Sequence, residues 1–312
     1  MKNILVTGAA GFIGSALARR LINEGNKVVT IDNLSTGQKD NIPDGVIFIE
    51  GDVSDPNIIN MLYEYNFDLI FHIAGQSGGM TCWEDPVYDL NSNVTSTLLL
   101  LNYCIKKDCK NFIYASSMSV YGDENRCPVK EGDNLKPKSF YAVGKMASEN
   151  YMRIFSDEYG VKCTALRFNN VYGPGQNLEN IKQGMVSIFL AMAIKNHHIT
   201  VMGDKNRFRD FVYIDDIVEA CIMASTGNEK SLFNVYTVST NRKTTCEELV
   251  NIIRSNLKYD ISVDYRGNTQ GDQFGIYCSY DRIKNNLGWK PTVKLEDGIK
   301  IMTEWAESYI RK

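Results

Sequence analysis

Several kinds of motif are missing from this sequence, and each absence excludes a class of protein. None of the eight cysteines belongs to a Cys-x-x-Cys pair, which excludes the common zinc and redox motifs. The three histidines, His72, His197 and His198, have no ligand-like spacing with acids or cysteines. We therefore expect reduced, mostly buried thiols, no disulfide and no metal site.

Long apolar runs and strong charge are missing as well. No run reaches the length of a membrane-spanning helix, and the first twenty residues do not resemble a secretory signal. The net charge of −3 gives no general attraction to nucleic acid or to an anionic membrane. With 44% hydrophobic and 23% charged residues, the sequence predicts a soluble globular protein with a substantial core. The reduced thiols expected above indicate that it is cytoplasmic.

The most informative stretch lies at the start of the chain, where a strand, a glycine-rich turn, a helix and a second strand follow one another. The pieces are an apolar run at 4–6, glycines at 8, 11 and 14, a helix over 12–24 and a strand over 27–31. Glycines in such a turn let the backbone approach a ligand closely, and the helix N-terminus favours a diphosphate. Asp32 ends the second strand, where a carboxylate can bind an adenosine ribose.

Strands and helices continue to alternate after Asp32. Further strands are predicted at 46–50, 68–73, 111–116 and 161–168, and helices at 54–65, at 87–107 and from about 139. This alternation predicts an α/β fold, a Rossmann-type doubly wound parallel sheet that binds its ligand at the carboxyl ends of the strands.

The C-terminal part of the sequence is less regular. Strands are predicted at 199–202 and 208–213, and helices at 183–195, 215–224, 245–255 and 295–309. We interpret it as a smaller α/β lobe that holds the substrate. The predicted domains are therefore 1–170 for the nucleotide and 171–312 for the substrate, with a soft boundary and interleaved lobes.

A candidate catalytic set follows from three side chains. Tyr141 and Lys145 lie one helical turn apart, and Ser117 stands at the end of a predicted strand. A nearby ammonium lowers the pKa of a tyrosine, which can then act as a base toward an alcohol. The Ser117 hydroxyl can bind the same substrate oxygen and stabilise developing charge.

At this point the sequence resembles the extended short-chain dehydrogenase/reductase superfamily. Over nearly its whole length it is similar to the NAD-dependent nucleotide-sugar epimerase/dehydratase family, in its UDP-glucose 4-epimerase-like form. The matching stretches are 7–14, 32–34, 51–53, 71–74, 93–94, 116–122, 141–145, 167–174, 203–204, 209–216 and 287–291.

The resemblance implies NAD in the first lobe, a nucleoside-diphosphate sugar between the lobes, and a homodimer formed through the helices near 87–107 and 141–159. It assigns catalysis to Ser117, Tyr141 and Lys145. It assigns cofactor binding to Gly8, Ala10, Gly11, Phe12, Ile13, Asp32, Asn33, Asp52, Val53, Ala74, Asn93, Tyr141 and Lys145. It assigns substrate binding to Ser77, Asn170, Arg209 and Asp272.

The sequence departs from the family where the reaction is decided. The family's 4,6-dehydratases carry Asp-Glu directly after the catalytic hydroxyl residue, and here those positions are Met118 and Ser119. The family often has serine at position 144, which is Gly144 here. We therefore favour epimerisation at the sugar C4. A reductase or dehydrogenase that acts once at C4 is the alternative, and a non-enzymatic NAD(P) sensor is disfavoured by the intact catalytic set.

Overall fold

The computed structural model describes residues 1–78, 80–123, 126–180, 183–228, 230–267 and 274–310. Among these residues, no helix is both long enough and apolar enough to cross a membrane.

The centre of the described chain is a parallel sheet of seven strands in the order β11-β6-β5-β4-β1-β2-β3. The strands of the chain are β1 (Asn3–Thr7), β2 (Lys27–Asp32), β3 (Ile47–Glu50), β4 (Leu69–His72), β5 (Asn111–Ser117), β6 (Lys162–Phe168), β7 (Asn170–Tyr172), β8 (His198–Met202), β9 (Phe208–Arg209), β10 (Phe211–Tyr213), β11 (Phe233–Val238), β12 (Thr244–Thr245) and β13 (Ser262–Arg266). The strand order reverses between β1 and β4, and this reversal leaves a cleft at the carboxyl edge of the sheet.

Helices cover both faces of this sheet. The helices of the described residues are α1 (Phe12–Asn23), α2 (Pro56–Met61), α3 (Thr81–Glu84), α4 (Pro86–Leu90), α5 (Ser96–Lys107), α6 (Phe140–Tyr159), α7 (Met185–Asn196), α8 (Ile214–Thr226), α9 (Cys246–Asn256), α10 (Asp281–Leu287) and α11 (Leu295–Ile310). One buried cluster joins the sheet to α1 and α8, and a second joins its other face to α5 and α6. The predicted Rossmann-type α/β class is therefore confirmed.

The rest of the chain builds small sheets beside the main one. Strand β10 pairs with β7, β12 pairs with β9, and β13 pairs with β8. Helices α7, α9 and α11 share the first buried cluster with these strands. Strand β11 follows them in sequence but returns to the main sheet beside β6. The division into domains at residue 170 stays a prediction.

Helix ends follow local capping chemistry, and one predicted start was wrong. Ser139 caps α6 by accepting a hydrogen bond from the Ala142 N–H. For the helix predicted over 54–65, Ser54 is the cap that the sequence favours, but the structure shows Asp55 as the cap of α2, with Pro56 at its first position. Because proline fits the first turn of a helix and a preceding aspartate supplies the acceptor, this pair defines the start.

Two other predicted elements are interrupted in the structure. The helix predicted over 87–107 begins at Pro86 and contains a π-helical turn, Asn91–Thr95, between α4 and α5. The single strand predicted over 208–213 is two strands in different sheets, and between them the buried Asp210 carboxylate accepts hydrogen bonds from Thr240 and Asn241.

Candidate active site

The glycine-rich turn after β1 is shaped by close backbone contacts. Gly8 has φ +80°, and an added Cβ would lie 2.8 Å from the Ala74 nitrogen. An added Cβ on Gly14 would lie 2.1 Å from the Gly8 carbonyl oxygen. Side chains are therefore excluded at both positions, and α1 packs closely against the end of β1.

This turn borders a cavity of about 590 Å³ at the carboxyl edge of the sheet. The cavity lining includes most residues for which cofactor binding is predicted: Gly8, Ala10, Gly11, Phe12, Ile13, Asp32, Asn33, Asp52, Val53 and Ala74. Further lining residues come from the C-terminal half of the chain, among them Gln176, Gln183, Trp305 and Tyr309.

The acidic residues of the cavity are held in place by hydrogen bonds. The carboxylate of Asp32 accepts from the Ala10 N–H and the Leu34 N–H, both at 2.9 Å. Asp52 accepts from the amide of Asn33 at 2.9 Å and from Ser54. Burial raises the pKa of Asp52, but these hydrogen bonds outweigh it and leave the pKa below its usual value.

The cavity fits a dinucleotide such as NAD. Within the described chain no side chain caps the N-terminus of α1, so its first N–H groups are available to a diphosphate. Asp32 lines the cavity next to the glycine-rich turn. The nearest following cation, Lys39, forms an ion pair with Glu50 at 3.6 Å.

The three predicted catalytic residues meet beside this cavity rather than in its lining. Ser117 ends β5, and Tyr141 and Lys145 lie on the first turns of α6. Lys145 Nζ donates to the Ala115 carbonyl at 2.8 Å and lies 5.6 Å from the centre of the Tyr141 ring. The strand end and the helix start therefore converge on one point.

The expected lowering of the Tyr141 pKa is not found. Burial raises the pKa of Tyr141 to about 12, although the interaction with the Ser117 hydroxyl lowers it. Burial also lowers the pKa of Lys145 to about 7, against the opposing effects of Asp89 and Glu149. The prediction was wrong because it left out the burial of the phenol, which disfavours the charged form of Tyr141 and outweighs the other effects.

Asn93 connects the catalytic residues to the cavity. It lies in the π-helical turn and is fully buried, and its Oδ1 has no hydrogen-bond partner in the described chain. An added Cβ on Gly75 would lie 2.6 Å from this oxygen and 3.2 Å from Lys145 Nζ. Both polar atoms therefore face the same small space next to Gly75, which lines the cavity.

The residues predicted to bind substrate are spread more widely. Ser77 lines the cavity and accepts a hydrogen bond from Gln183 at 2.7 Å. Asn170 begins β7 and donates to the Asp210 carbonyl. Arg209 is buried and donates to the Phe208 carbonyl at 2.7 Å, and burial lowers its pKa to about 10. Asp272 lies outside the described residues.

Sequence patterns alone did not identify several residues that lie near the site. His72 forms hydrogen bonds to Thr7 at 2.8 Å and to Ser96 at 3.1 Å. Asp89 lies almost fully buried on α4, where the sequence shows an acid one turn before Asn93 but no partner for it. Trp305 has no signal in the sequence at all, because it reaches the cavity from the far end of the chain.

Comparisons with known proteins agree with this geometry. A model of the NAD dependent epimerase/dehydratase family matches residues 4–238. The UDP-glucose 4-epimerase of Mycolicibacterium smegmatis is 32% identical over 307 residues, which cover 96% of this chain and 97% of that protein. UDP-glucuronic acid decarboxylase 6 of Arabidopsis thaliana is 31% identical over 312 residues, which cover 96% of this chain and 88% of that protein.

A solved structure extends the likeness to the fold. The UDP-glucose 4-epimerase of Thermotoga maritima with UDP-glucose superposes with a TM-score of 0.95 at 33% identity, over 99% of each chain. Together with the family match over most of the chain, this likeness shows that the protein is an enzyme of the NAD-dependent epimerase/dehydratase family.

Proposed function

We propose that this enzyme is a nucleotide-sugar 4-epimerase. The observation that supports the proposal is the convergence of Ser117, Tyr141 and Lys145 beside a cavity that fits NAD. Epimerisation at C4 needs only these side chains and a cofactor that stays bound. The similar UDP-glucose 4-epimerases favour a UDP-sugar as the substrate.

NAD, when bound, supplies a hydride acceptor and donor, so that a C4 hydroxyl is oxidised to a ketone and reduced again from the other face. Tyr141 would take the proton of that hydroxyl and later return it. Ser117 would donate a hydrogen bond to the same oxygen. The Lys145 ammonium would favour the phenolate form of Tyr141, since burial alone opposes that charge.

The remaining site assignments are proposals of the same kind. The cavity residues from Gly8 to Ala74 would hold the dinucleotide, and Asn93 would bind along it. Ser77, Asn170, Arg209 and Asp272 would hold the sugar diphosphate. A guanidinium such as that of Arg209 matches phosphate oxygens with its fork of N–H groups.

Dehydration is not expected, because the two residues directly after Ser117 are not acidic. Met118 and Ser119 belong to a tight 3₁₀ turn that ends at Tyr121. A thioether carries no transferable proton, and an isolated serine hydroxyl is too weak an acid or base for this work. Asp123 lies beyond the turn at the surface, where it forms an ion pair with Lys138.

The test is to incubate the purified enzyme with UDP-, GDP-, dTDP- and CDP-sugars, including UDP-glucose and UDP-glucuronic acid. We expect a product of unchanged mass that differs only at C4, without consumption of added cofactor. Protein denatured afterwards should release NAD(H).

Other products would contradict the proposal in recognisable ways. Oxidation or reduction that consumes NAD(P)(H) in equal amount would indicate a 4-dehydrogenase or 4-ketoreductase. A product lighter by one water would indicate a dehydratase, and one lighter by carbon dioxide would indicate a decarboxylase such as the Arabidopsis relative.

We also propose that the enzyme is a homodimer. Exposed apolar side chains lie on α4 and on the neighbouring face of α6, among them Val87, Leu90, Phe140, Val143 and Ile154. An apolar surface of this kind, on adjacent helices, is typical of a protein interface. A second copy of the chain would cover it with the same face.

A further inference from the structure

Asp89 is an acidic side chain in a place that disfavours charge. It lies on α4 with 1% of its surface exposed, although its neighbours Val87 and Leu90 point outward. Burying a carboxylate is costly unless hydrogen bonds and an opposite charge compensate for it. The contacts of Asp89 therefore indicate what the carboxylate does.

One oxygen of Asp89 organises the wall of the site. Asp89 Oδ1 accepts from Gln76 Nε2 at 3.0 Å and from Asn93 Nδ2 at 3.3 Å. Asn93 Nδ2 also donates to the Gln76 carbonyl at 3.0 Å. Because these acceptors take the NH₂ group of Asn93, its Oδ1 must point the other way, toward Gly75 and the ammonium of Lys145.

The other oxygen of Asp89 faces α6. An added Cβ on Gly144 would lie 3.7 Å from Asp89 Oδ2. Gly144 directly precedes Lys145 and follows Tyr141 by one turn, so the carboxylate lies behind the two predicted catalytic residues. Because Gly144 has no side chain, the Asp89 carboxylate can lie close to α6 at this point.

Other charged groups near Lys145 are already compensated. Glu149, one turn further along α6, forms an ion pair with Arg167 at 2.6 Å and accepts from Ser116. His72 on β4 is neutral near pH 7, since burial and the nearby Lys145 lower its pKa to about 3. Tyr114 on β5 offers only its ring, at 4.6 Å. Of the described residues, Asp89 is thus the carboxylate that raises the pKa of Lys145 most, ahead of the arginine-paired Glu149.

We propose that Asp89 is a positioning residue of this active site, whose carboxylate keeps Lys145 protonated and fixes the orientation of Asn93 and Gln76. The inference rests on the proposed role of Lys145 in catalysis. Asp89 acts through these neighbours and does not itself exchange a proton with the sugar.

The direction of the pH dependence follows from the two pKa values. Burial raises the pKa of Asp89 to about 6, while Lys145 and the two amides lower it. The pKa of Lys145 is lowered to about 7. Of the other groups that face Asp89, the Cys82 thiol has a pKa raised by burial, and so has the Tyr141 hydroxyl. Near neutral pH the carboxylate is therefore charged and supports the ammonium.

Asp89→Asn is the first test, because it removes the charge and keeps the shape. We expect the basic limb of the pH profile of turnover to move about one pH unit lower, since Lys145 loses its counter-charge. Turnover above that limb should fall about tenfold. Asp85→Asn is the matched control: Asp85 caps α4 at the surface, and asparagine caps equally well. An unmoved basic limb in Asp89→Asn would overturn the proposal.

A second readout needs neither cofactor nor turnover. The unfolded chain binds a proton at Lys145 up to about pH 10.5, and the folded chain only up to about pH 7. The free energy of unfolding therefore rises with pH across this interval. In urea denaturation, the rise should begin about one pH unit lower in Asp89→Asn than in Asp85→Asn. The titration of Asp89 itself, present only in Asp85→Asn, lowers stability as the pH rises to about 6, so the two variants are compared by the pH at which the rise begins. A rise that begins at the same pH in both variants would show a purely structural role.

This readout also separates the two proposals. If the wild-type enzyme epimerises none of the sugars while the urea series shows the shift, the proposed function fails and the Asp89–Lys145 coupling stands. If epimerisation is found without the shift, the coupling fails alone.

Gly144 gives an independent variant pair that keeps Asp89. The space around Gly144 accepts a Cβ with contacts of 3.5 to 3.7 Å. Gly144→Ser would add a hydroxyl near Asp89 Oδ2, which stabilises the charged carboxylate and moves the acid limb of turnover to lower pH. Gly144→Ala fills the same space without a donor and should leave that limb in place. If the acid limb of turnover lay at the same pH in both variants, Asp89 Oδ2 would not lie next to residue 144 as proposed.

Discussion

Tyr141 lies in surroundings that oppose the charge its proposed reaction requires. Burial raises its pKa to about 12, and only the Ser117 hydroxyl is found to lower it. A base with so high a pKa needs a cation held nearby, which stabilises its charged form. The 5.6 Å between Lys145 Nζ and the ring places such a cation within electrostatic reach.

Tyr141→Phe should therefore lower turnover by about 10²–10⁴-fold, because it removes the proton-exchanging hydroxyl and keeps the ring. NADH affinity, followed by fluorescence titration, should stay nearly unchanged. Tyr159→Phe is the control, since Tyr159 is an exposed tyrosine at the end of the same helix. If Tyr141→Phe kept more than about a tenth of the wild-type rate, another residue would be the base.

Asp32 should select NADH over NADPH. Its carboxylate is fixed by two backbone N–H groups and would repel a 2′-phosphate. We expect NADH to bind at least about tenfold more tightly, which corresponds to about 1.4 kcal/mol. Asp32→Asn should narrow this ratio, while Asp55→Asn at the start of α2 should not change it. NADPH binding equal to or tighter than NADH binding would refute the selection.

At the scale of single residues, the sequence revealed motifs but not their surroundings. The glycine turn and Asp32 could be predicted because they are local and their spacing is fixed by one β-α-β unit. Asp89 could not, because its partners Gln76 and Gly144 come from other elements. The predicted direction of the pKa shift of Tyr141 was wrong for the same reason, since burial is a property of the folded chain.

Helix α6 serves two surfaces at once. Its buried side carries Lys145, Ser148 and Glu149 toward the sheet. Its outer side carries Phe140, Val143 and Ile154, which are exposed together with Val87 and Leu90 of α4. One helix thus connects the proposed active site to the proposed dimer interface.

Ile154→Glu should convert the proposed dimer to a monomer, because a charge would be buried in an apolar interface. Light scattering at micromolar concentration measures the mass. Ile301→Glu makes the same change at an exposed position on α11 and should leave the dimer intact. A monomeric wild-type enzyme would end the proposal before any variant is made.

Elements with their own capping signals were predicted closely, and elements set by distant partners were not. Ser139 and the following periodicity correctly indicated the start of α6. The interval 208–213 is rich in aromatic and β-branched residues that favour strands, but its halves pair with β12 and β7 in different sheets. Alternation of side chains cannot show which neighbour a strand will find.

For the whole molecule, the parallel sheet followed from the alternation of strands and helices, but its seventh strand did not. Strand β11 pairs with β6 although helices and small sheets separate them in sequence. Two strands that pair across such a long stretch of sequence leave no local sequence pattern that predicts the pairing. The cavity likewise takes Trp305 and Tyr309 from the final helix, so its full wall exists only in the folded chain.

The buried His72 connects the sheet to the helix layer and makes the stability of the fold depend on pH. Ser96 donates to the Ser92 carbonyl at 2.6 Å, so it accepts from His72 Nε2–H. Thr7 accepts from the Ala74 N–H and donates to Nδ1. A neutral ring satisfies both partners, and protonation would place two donors face to face.

The loss of stability caused by replacing His72 should therefore become smaller as the pH falls. Burial lowers the pKa of His72 to about 3, whereas an unfolded histidine titrates near pH 6.5, so the unfolded chain binds the extra proton between these values. The wild type should lose stability at this site by about 1.4 kcal/mol per pH unit as acid is added. His72→Gln keeps an acceptor and a donor but does not titrate.

Urea denaturation of both proteins from pH 7 down to pH 4 gives the difference directly. Asp89 and Asp210, whose pKa values burial raises to about 6, change stability in the opposite direction with pH. Because both proteins contain them, their contribution cancels in the difference. We expect His72→Gln to be destabilised at pH 7 and to approach or exceed the wild type near pH 4. His197→Gln, which replaces an exposed histidine, is the control for the loss of an imidazole. A constant difference for His72→Gln would mean that the ring accepts its proton inside the folded protein.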